Sequence, residues 1–252
     1  MAPAWGKMAR VALLTAVTWN RQPVTDPAAA DVVRWGPDIA TETELRLLGH
    51  AADKRVLELG CGSGAGSVAM ARQGARAIGV DFSHEHLLAA RRLSERAGVK
   101  LELHEGDLGD LAFARADTVD LVFSVYALNL VEDINRVFRQ VHRVLKPECA
   151  LVFSVPHPAY DMIVDDDVEE PLLVRRSYFD QSRIDLDTDK PPYFRYHHTI
   201  SDLFTGLSRA NFRVDTILEP EPRRDGRGSP HWREASRFVP RTLVMRARKE
   251  GS

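Results

Sequence analysis

Residues 55–66 read RVLELGCGSGAG: a short apolar run in which Val56, Leu57 and Leu59 flank Glu58, then glycine at positions 60, 62, 64 and 66. A short apolar run of this kind suits a parallel strand covered on both faces. Glycines on alternate positions let the backbone turn sharply and approach a ligand that any Cβ would hold off. Residues 67–73 (SVAMARQ) then resume as a helix, so the unit is strand, glycine loop, helix. A second strand, Ala75 to Val80, ends at Asp81. An acidic residue about 20 positions beyond the glycines can accept hydrogen bonds from both hydroxyls of a ribose.

Two patterns coexist in the loop. A dinucleotide fingerprint, G-x-G-x-x-G, seats a pyrophosphate on the helix N-terminus. Counted from Gly60, it puts Ala65 at its last position, a tolerated variant. The second pattern is E-x-G-x-G-x-G, which Glu58 completes. The loop alone fits both, and the residues beyond it have to choose.

The composition narrows the classes. A chain of 252 residues with 44% hydrophobic content can bury a full core as one domain with attachments. A net charge of -2 gives no basic face for nucleic acid and no polybasic membrane anchor. No apolar run approaches the roughly 20 residues of a membrane span. Residues 11–17 are apolar but lack a convincing cleavage site, so they read as part of the fold. The two cysteines, Cys61 and Cys149, indicate neither a disulfide framework nor a zinc site. A cytoplasmic protein is expected.

Residues 1–45 form an N-terminal segment in which Val32, Val33 and Trp35 make an apolar patch and Gly36-Pro37 a turn. Thr41 to Glu44 has capping-box spacing, which predicts a helix running on through Leu45, Leu47 and Leu48. Residues 46–156 alternate strand and helix. A helix is expected after Phe82, a third strand over 99–104, and a fourth over 120–125 (DLVFSV). An amphipathic helix over 134–145 is stopped by Lys146-Pro147, and a fifth strand covers 150–155. Short links between alternating elements indicate a doubly wound α/β sheet. Residues 157–198 carry acidic clusters and aromatics with little helical period, which reads as an insertion, or lid, over the carboxyl edge of the sheet. Residues 199–252 begin with a helix capped by Ser201 and ended by Asn211 in a left-handed C-cap. Beyond it lie two strands, 212–218 and 242–248, separated by a long polar loop.

The ordered set ELGCGSG, VDFS, EGDL, DLVFSVYALNLVED and VLKPECALVFSVPHP resembles the class I methyltransferases that use S-adenosylmethionine (SAM), in their small-molecule branch. The resemblance covers roughly residues 45–220. It implies a Rossmann-like, doubly wound seven-stranded sheet with an antiparallel last strand, an N-terminal helical cap and a lid after the fifth strand. It also implies SAM as cofactor and S-adenosyl-L-homocysteine (SAH) as product.

Position by position, the resemblance assigns Glu58 to the cofactor motif and the backbones of Gly60, Cys61 and Gly62 to the amino-acid end of SAM. Asp81 would hold the ribose and Phe82 would flank the adenine. Asp107 would accept from the adenine amino group, with Leu108 against the ring. Ser124, Val125 and Tyr126 would border the sulfonium and its methyl group. Trp35 would lie either over the cofactor, as pre-strand aromatics do in such enzymes, or in the core as an anchor. The fourth strand ends in Ser-Val-Tyr-Ala rather than the [Asn/Asp]-Pro-Pro-[Tyr/Phe] of adenine and glutamine N-methyltransferases; Lys190-Pro191-Pro192-Tyr193 reads as a loop. The run Asp165 to Asp167 reads as a solvated turn, and no metal is expected.

Methyl transfer is an in-line displacement that needs alignment, exclusion of water and, for a protonated acceptor, a route for the proton. If a base serves, histidine is the first choice. His197, in a Tyr-His-His-Thr stretch, and then His157 are the candidates; His198 stands where a Tyr-His-Arg-Thr pattern of some relatives has Arg. Trp19, Trp35, Tyr126, Tyr160, Tyr193 and Phe194 would suit a flat apolar acceptor or a structural lid. The partner expected is a small-molecule methyl acceptor, such as an aromatic, quinone-like or secondary metabolite, methylated on O, N or C by a monomer or homodimer. A nicotinamide-dependent oxidoreductase and a non-catalytic SAM-binding regulator stay open as alternatives.

Overall fold

A computed structural model describes residues 30–164, 173–186, 193–223, 229 and 232–251. Five strands come first, with helices between them except from β3 to β4, where a loop makes the link: β1 (Arg55–Leu59), β2 (Arg76–Asp81), β3 (Leu101–Glu105), β4 (Val119–Val125) and β5 (Leu145–Pro156). Two short hairpins come next, β6 (Ile163–Val164) with β7 (Leu173–Val174) and β8 (Ile184–Leu186) with β9 (Tyr193–Arg195). Strands β10 (Phe212–Leu218) and β11 (Thr242–Lys249) complete a seven-stranded sheet in the order β10-β11-β5-β4-β1-β2-β3. β11 runs antiparallel to both β5 and β10, while β1 to β5 pair in parallel. The order reverses between β1 and β4, and at such a switch point the carboxyl ends of the strands open a crevice for ligand.

The helices are α1 (Glu42–Leu45), α2 (Ala65–Arg72), α3 (His84–Ala97), α4 (Ile134–Val144) and α5 (Ile200–Arg209). Alternation along β1 splits the core: Leu57 and Leu59 join α4 and α5 on one face, and Val56 joins α2 and the N-terminal segment on the other. α4 buries Ile134, Val137, Phe138, Val141 and Val144, one stripe of a 3.6-residue period. Each such burial contributes about 1.5–3 kcal/mol. The helix ends at Val144 without help from proline, because Leu145 already pairs with Val119. Pro147 lies inside β5 instead, where the register slips between Val119 and Leu121. A residue with no N–H is tolerated at such an irregularity.

Of the expected N-terminal helical cap, residues 30–45 are mostly irregular backbone, and residues 1–29 lie outside the described residues. Thr41 does make the capping box with Glu44, but α1 lasts one turn and ends at Arg46, φ 50°. The reason is Glu42. Its buried carboxylate accepts the indole N–H of Trp35 (3.0 Å) and the backbone N–H groups of Leu47 (3.1 Å) and Leu48 (2.7 Å), which turns both leucines into the core. At the other end of the chain, α5 is capped by Thr199, not Ser201: Thr199 Oγ1 accepts the N–H of Asp202, whose carboxylate accepts the N–H of Thr199. Asn211 is left-handed as expected, φ 62°. The insertion's acidic runs (165–167 and 169–170) and Lys190 to Pro192 fall outside the described residues.

Candidate cofactor and acceptor site

Three glycines of the loop stand in three different settings. A Cβ on Gly60 (φ +69°) would stand 2.2 Å from the Cβ of Ala127, so the loop lies against the chain leaving β4 only because that atom is missing. A Cβ on Gly66 would stand 2.4 Å from Glu58 Oε1. Gly62 (φ +50°) has nothing within 4 Å of its Cβ position, and there the loop faces open space.

Hydrogen bonds pin the loop to the end of β2. The N–H groups of Gly60 and Cys61 donate to the carbonyl of Val80 at 2.8 and 3.0 Å. The Gly62 N–H donates to Asp81 Oδ2 at 2.8 Å and the Ser83 N–H to Oδ1 at 2.9 Å. Burial raises the pKa of Asp81 above the ordinary carboxylate value, with these N–H groups pulling the other way. The Gly106 N–H donates to the Asp81 carbonyl at 3.0 Å, which brings the turn after β3 to the same place. In that turn Asp107 Oδ1 accepts the N–H of Gly109 at 2.7 Å, and buried Leu108 reaches toward Gly60. Half-buried Phe82 sits between Asp81 and the cap of α3. The structure therefore brings the Gly60–Gly62 loop, Asp81 with the adjoining Phe82, and the turn bearing Asp107 and Leu108 together at the carboxyl ends of β1, β2 and β3.

Other expected site residues lie behind that surface. Glu58 is buried under the loop, where burial pushes its pKa up to about 8 and the Ser67 hydroxyl donates to it at 2.6 Å. Burial, reinforced by the Glu58 and Asp81 charges, also pushes the Cys61 thiol well up. Ser124 is fully buried and donates its hydroxyl to the Leu59 carbonyl at 2.9 Å, tying β4 to β1. Trp35 takes the second of its two roles: it is fully buried, edge-on to Phe123 with centroids 6.4 Å apart, and has no surface to offer a ligand.

Val125 is half-buried at the end of β4. Tyr126 then leaves the strand with φ +53°, an outlier for a bulky side chain of the kind that clusters at ligand sites. Its N–H donates to the Ser154 carbonyl at 2.9 Å, and its phenol oxygen lies 2.7 Å from Thr242 Oγ1. Gly36 packs on this pair: an added Cβ would stand 2.6 Å from Thr242 Oγ1 and 3.1 Å from the tyrosine ring. The Gly36-Pro37 turn thus closes over Tyr126, a contact nothing local in the sequence announces.

The two histidines expected to act as bases have no free ring nitrogen. His197 is buried with Nδ1 3.3 Å from Asp161 Oδ2 and Nε2 2.9 Å from the Tyr178 carbonyl. Both partners are acceptors that occupy the ring, and Arg195 completes the cluster at 2.5 Å from Asp161 Oδ1. His157 is also buried; its Nδ1 accepts the Ala159 N–H at 3.1 Å, which leaves Nε2 to donate to Glu219 Oε1 at 2.7 Å. Each imidazole holds other groups in place. His198 bonds the Val131 carbonyl through Nε2 at 3.0 Å, and burial lowers its pKa. Asp161, Arg195 and Glu219 were absent from the expected site because their partners lie 34 to 62 residues away in sequence. Among the described residues no group of His, Cys, Asp and Glu is arranged to hold a metal ion, and no helix is long and apolar enough to cross a membrane.

Comparison with known proteins agrees with this geometry. Residues 56–148 match a family model described as a methyltransferase domain. The ubiquinone biosynthesis O-methyltransferase of Hahella chejuensis is 38% identical over 101 residues, 40% of this chain and 42% of that protein. The chain thus spans less than half the length of that curated relative. An S-adenosylmethionine dependent methyltransferase from Mesorhizobium loti superposes with a TM-score of 0.66 at 27% identity, over 82% of this chain and 96% of the other. Geranyl diphosphate C-methyltransferase from Streptomyces coelicolor A3(2), solved with Mg2+, geranyl diphosphate and SAH, gives 0.65 over 99% and 100% of the two chains. At 14% identity that likeness is one of fold.

The α/β unit is a class I SAM-dependent methyltransferase domain, and SAM is its cofactor. The residues present fit it: Gly62 offers an approach free of side chain beside the Asp81 carboxylate, and the turn that carries Asp107 is hydrogen-bonded to the Asp81 carbonyl.

Proposed function

We propose that the protein transfers the methyl group of SAM to an O, N or C atom of a small molecule. The observation that carries this reading is the open face of Gly62 beside Asp81, at the point where the strand order reverses. When bound, SAM supplies a methyl group on a sulfonium, which passes to the acceptor's nucleophile as the carbon–sulfur bond breaks and SAH is left. The chain's part is to bind, align and keep water out. The backbones of Gly60, Cys61 and Gly62 hold the amino-acid end, Asp81 the ribose hydroxyls, and Asp107 the adenine amino group between Phe82 and Leu108. Val125 and Tyr126 border the methyl group. Glu58 and Ser124 act from beneath by fixing the loop and β4. The likeness to an O-methyltransferase of quinone biosynthesis supports a flat acceptor such as an aromatic or quinone-like compound.

The test is isothermal titration of SAM and SAH into the wild type and into Asp81→Ala. Saturable binding that the substitution weakens by about 1.5–3 kcal/mol is expected, the range for hydrogen bonds to a charged group. Failure of the wild type to bind either ligand would overturn the reading, and NADH would be titrated next. Binding with no SAH release on any acceptor of a broad panel would point to a regulator.

A further inference from the structure

The chain leaving β4 reads Tyr126-Ala127-Leu128-Asn129-Leu130-Val131, and Asn129 is its one polar side chain beyond the tyrosine. The segment is a seam between the two parts that methyl transfer has to join. On one side Ala127 lies against the cofactor loop, where a Cβ on Gly60 would stand 2.2 Å from its own. On the other side the insertion returns. The Asn129 carbonyl accepts the N–H of Tyr196 at 2.7 Å, and the Val131 carbonyl meets His198 Nε2 at 3.0 Å. Underneath, fully buried Leu128 joins Leu57, Leu59 and Leu108 in the core.

The backbone of Asn129 is thus engaged, and its side-chain oxygen is not. The residue is 7% exposed, and its Oδ1 is buried with no hydrogen-bond partner. Buried polar atoms in folded proteins are nearly all hydrogen-bonded, and one that is not costs stability. Among the described residues three other buried side-chain atoms share this condition: Ser154 Oγ, Arg176 Nε and Arg195 Nε. Both guanidinium groups are held through another nitrogen, Arg176 by the Ser182 carbonyl and Arg195 by Asp161. The Ser154 hydroxyl can rotate, and it can both donate and accept. Asn129 Oδ1 can only accept, so a donor has to be brought to it. Tyr126, three positions earlier, is the residue assigned above to the border of the methyl group.

We propose that Asn129 is a specificity-determining residue for the methyl acceptor, and that its Oδ1 receives an O–H or N–H of that molecule between the cofactor loop and the insertion. This rests on the methyltransferase reading above. It commits the acceptor to a hydroxyl or an amino group, since a carboxylate or a phosphate dianion has no proton to offer an amide oxygen. An amide oxygen accepts the bond without taking the proton, so Asn129 orients the acceptor and is no base.

The probes are phenol, aniline and toluene, which share one ring and differ in the group it bears. They are titrated into the full chain saturated with SAH and followed by ligand NMR, with SAM titrated separately into every variant. Phenol and aniline are expected to bind about tenfold more tightly than toluene. Asn129→Leu, similar in shape but with no acceptor, should erase that advantage. Asn129→Asp, which keeps an oxygen at the same place, should retain it. SAM affinity should stay within about twofold in both variants, which shows that the fold and the cofactor site survive. Toluene binding as tightly as phenol and aniline, no binding of any probe, or an advantage that survives Asn129→Leu or is lost equally in Asn129→Asp would overturn the assignment while SAM binding stood. Failure of the wild type to bind SAM would instead overturn the methyltransferase reading, and with it any acceptor role for Asn129.

Discussion

The Ser67 hydroxyl meets the Glu58 carboxylate at 2.6 Å, joining the middle of β1 to the first turn of α2 underneath the glycine loop. With burial pushing Glu58 up to about 8, this carboxyl carries a proton at neutral pH. In the unfolded chain it would titrate near 4.5. The folded state thus binds more protons than the unfolded state between these values. Its contribution is fully present below pH 4.5 and is lost as pH rises through 8, by at most about 1.4 kcal/mol per pH unit. Glu58→Gln keeps an acceptor for Ser67 and removes the titration. Urea unfolding of both proteins across this window should show the variant gaining on the wild type with rising pH; a constant difference would contradict the account.

Gly60 and Gly62 should fail differently when replaced by alanine. Gly60→Ala drives a Cβ to within 2.2 Å of Ala127, so the melting temperature and SAM binding should fall together. Gly62→Ala meets no protein atom and costs only the left-handed strain, about 1–2 kcal/mol. That variant should stay folded by circular dichroism while titration shows SAM affinity down at least tenfold.

Asp81 predicts a pH dependence of cofactor affinity. Protonation removes the charge that accepts the ribose hydroxyls, and burial raises the pKa at which this happens. SAM affinity should therefore fall as pH is lowered, beginning above the ordinary carboxylate range and by no more than about tenfold per pH unit for one proton. Asp81→Asn should bind more weakly and lose this dependence. Calorimetry on the two proteins over the same pH series checks both statements.

Asp161 ties the insertion down, with its side chain 4% exposed and bonded to both Arg195 and His197. Asp161→Ala leaves Arg195 without its counter-charge and His197 without the partner of its Nδ1. Breaking a fully buried pair costs about 3–5 kcal/mol; the loss here should be smaller because Arg195 is 19% exposed. Asp161→Asn keeps one acceptor and should be milder. Limited proteolysis should show faster cleavage within residues 157–198 in both, more so in the alanine variant, and unchanged cleavage would count against the anchoring role.

The parts of this site that can be read along the chain are those whose meaning is local. The loop glycines, Asp81 and the alternation of apolar runs each depend on a few consecutive residues, and the sheet order depends on their succession. Helix ends are less secure because several residues qualify: Thr199 and Ser201 can both cap α5, and only the reciprocal bond to Asp202 selects Thr199. The least legible features join distant segments. Glu42 looks like the first turn of a helix, yet it cuts that helix short by drawing in Leu47 and Leu48. His157 looks like a base at a pocket mouth until Glu219, 62 positions later, takes its one donor. A single chain of letters holds no record of such pairings.

The place of β11 has a consequence for how the protein is made. Of the seven strands it comes last in the sequence, yet it lies between β10 and β5. During synthesis the first five strands leave the ribosome with β5 as an exposed edge, and β10 has no partner strand in the sheet until Thr242–Lys249 emerges. A growing chain is therefore open to pairing with its neighbours on the same message until its final strand slots in. A message cut short before Thr242 yields a sticky product, not a smaller folded domain.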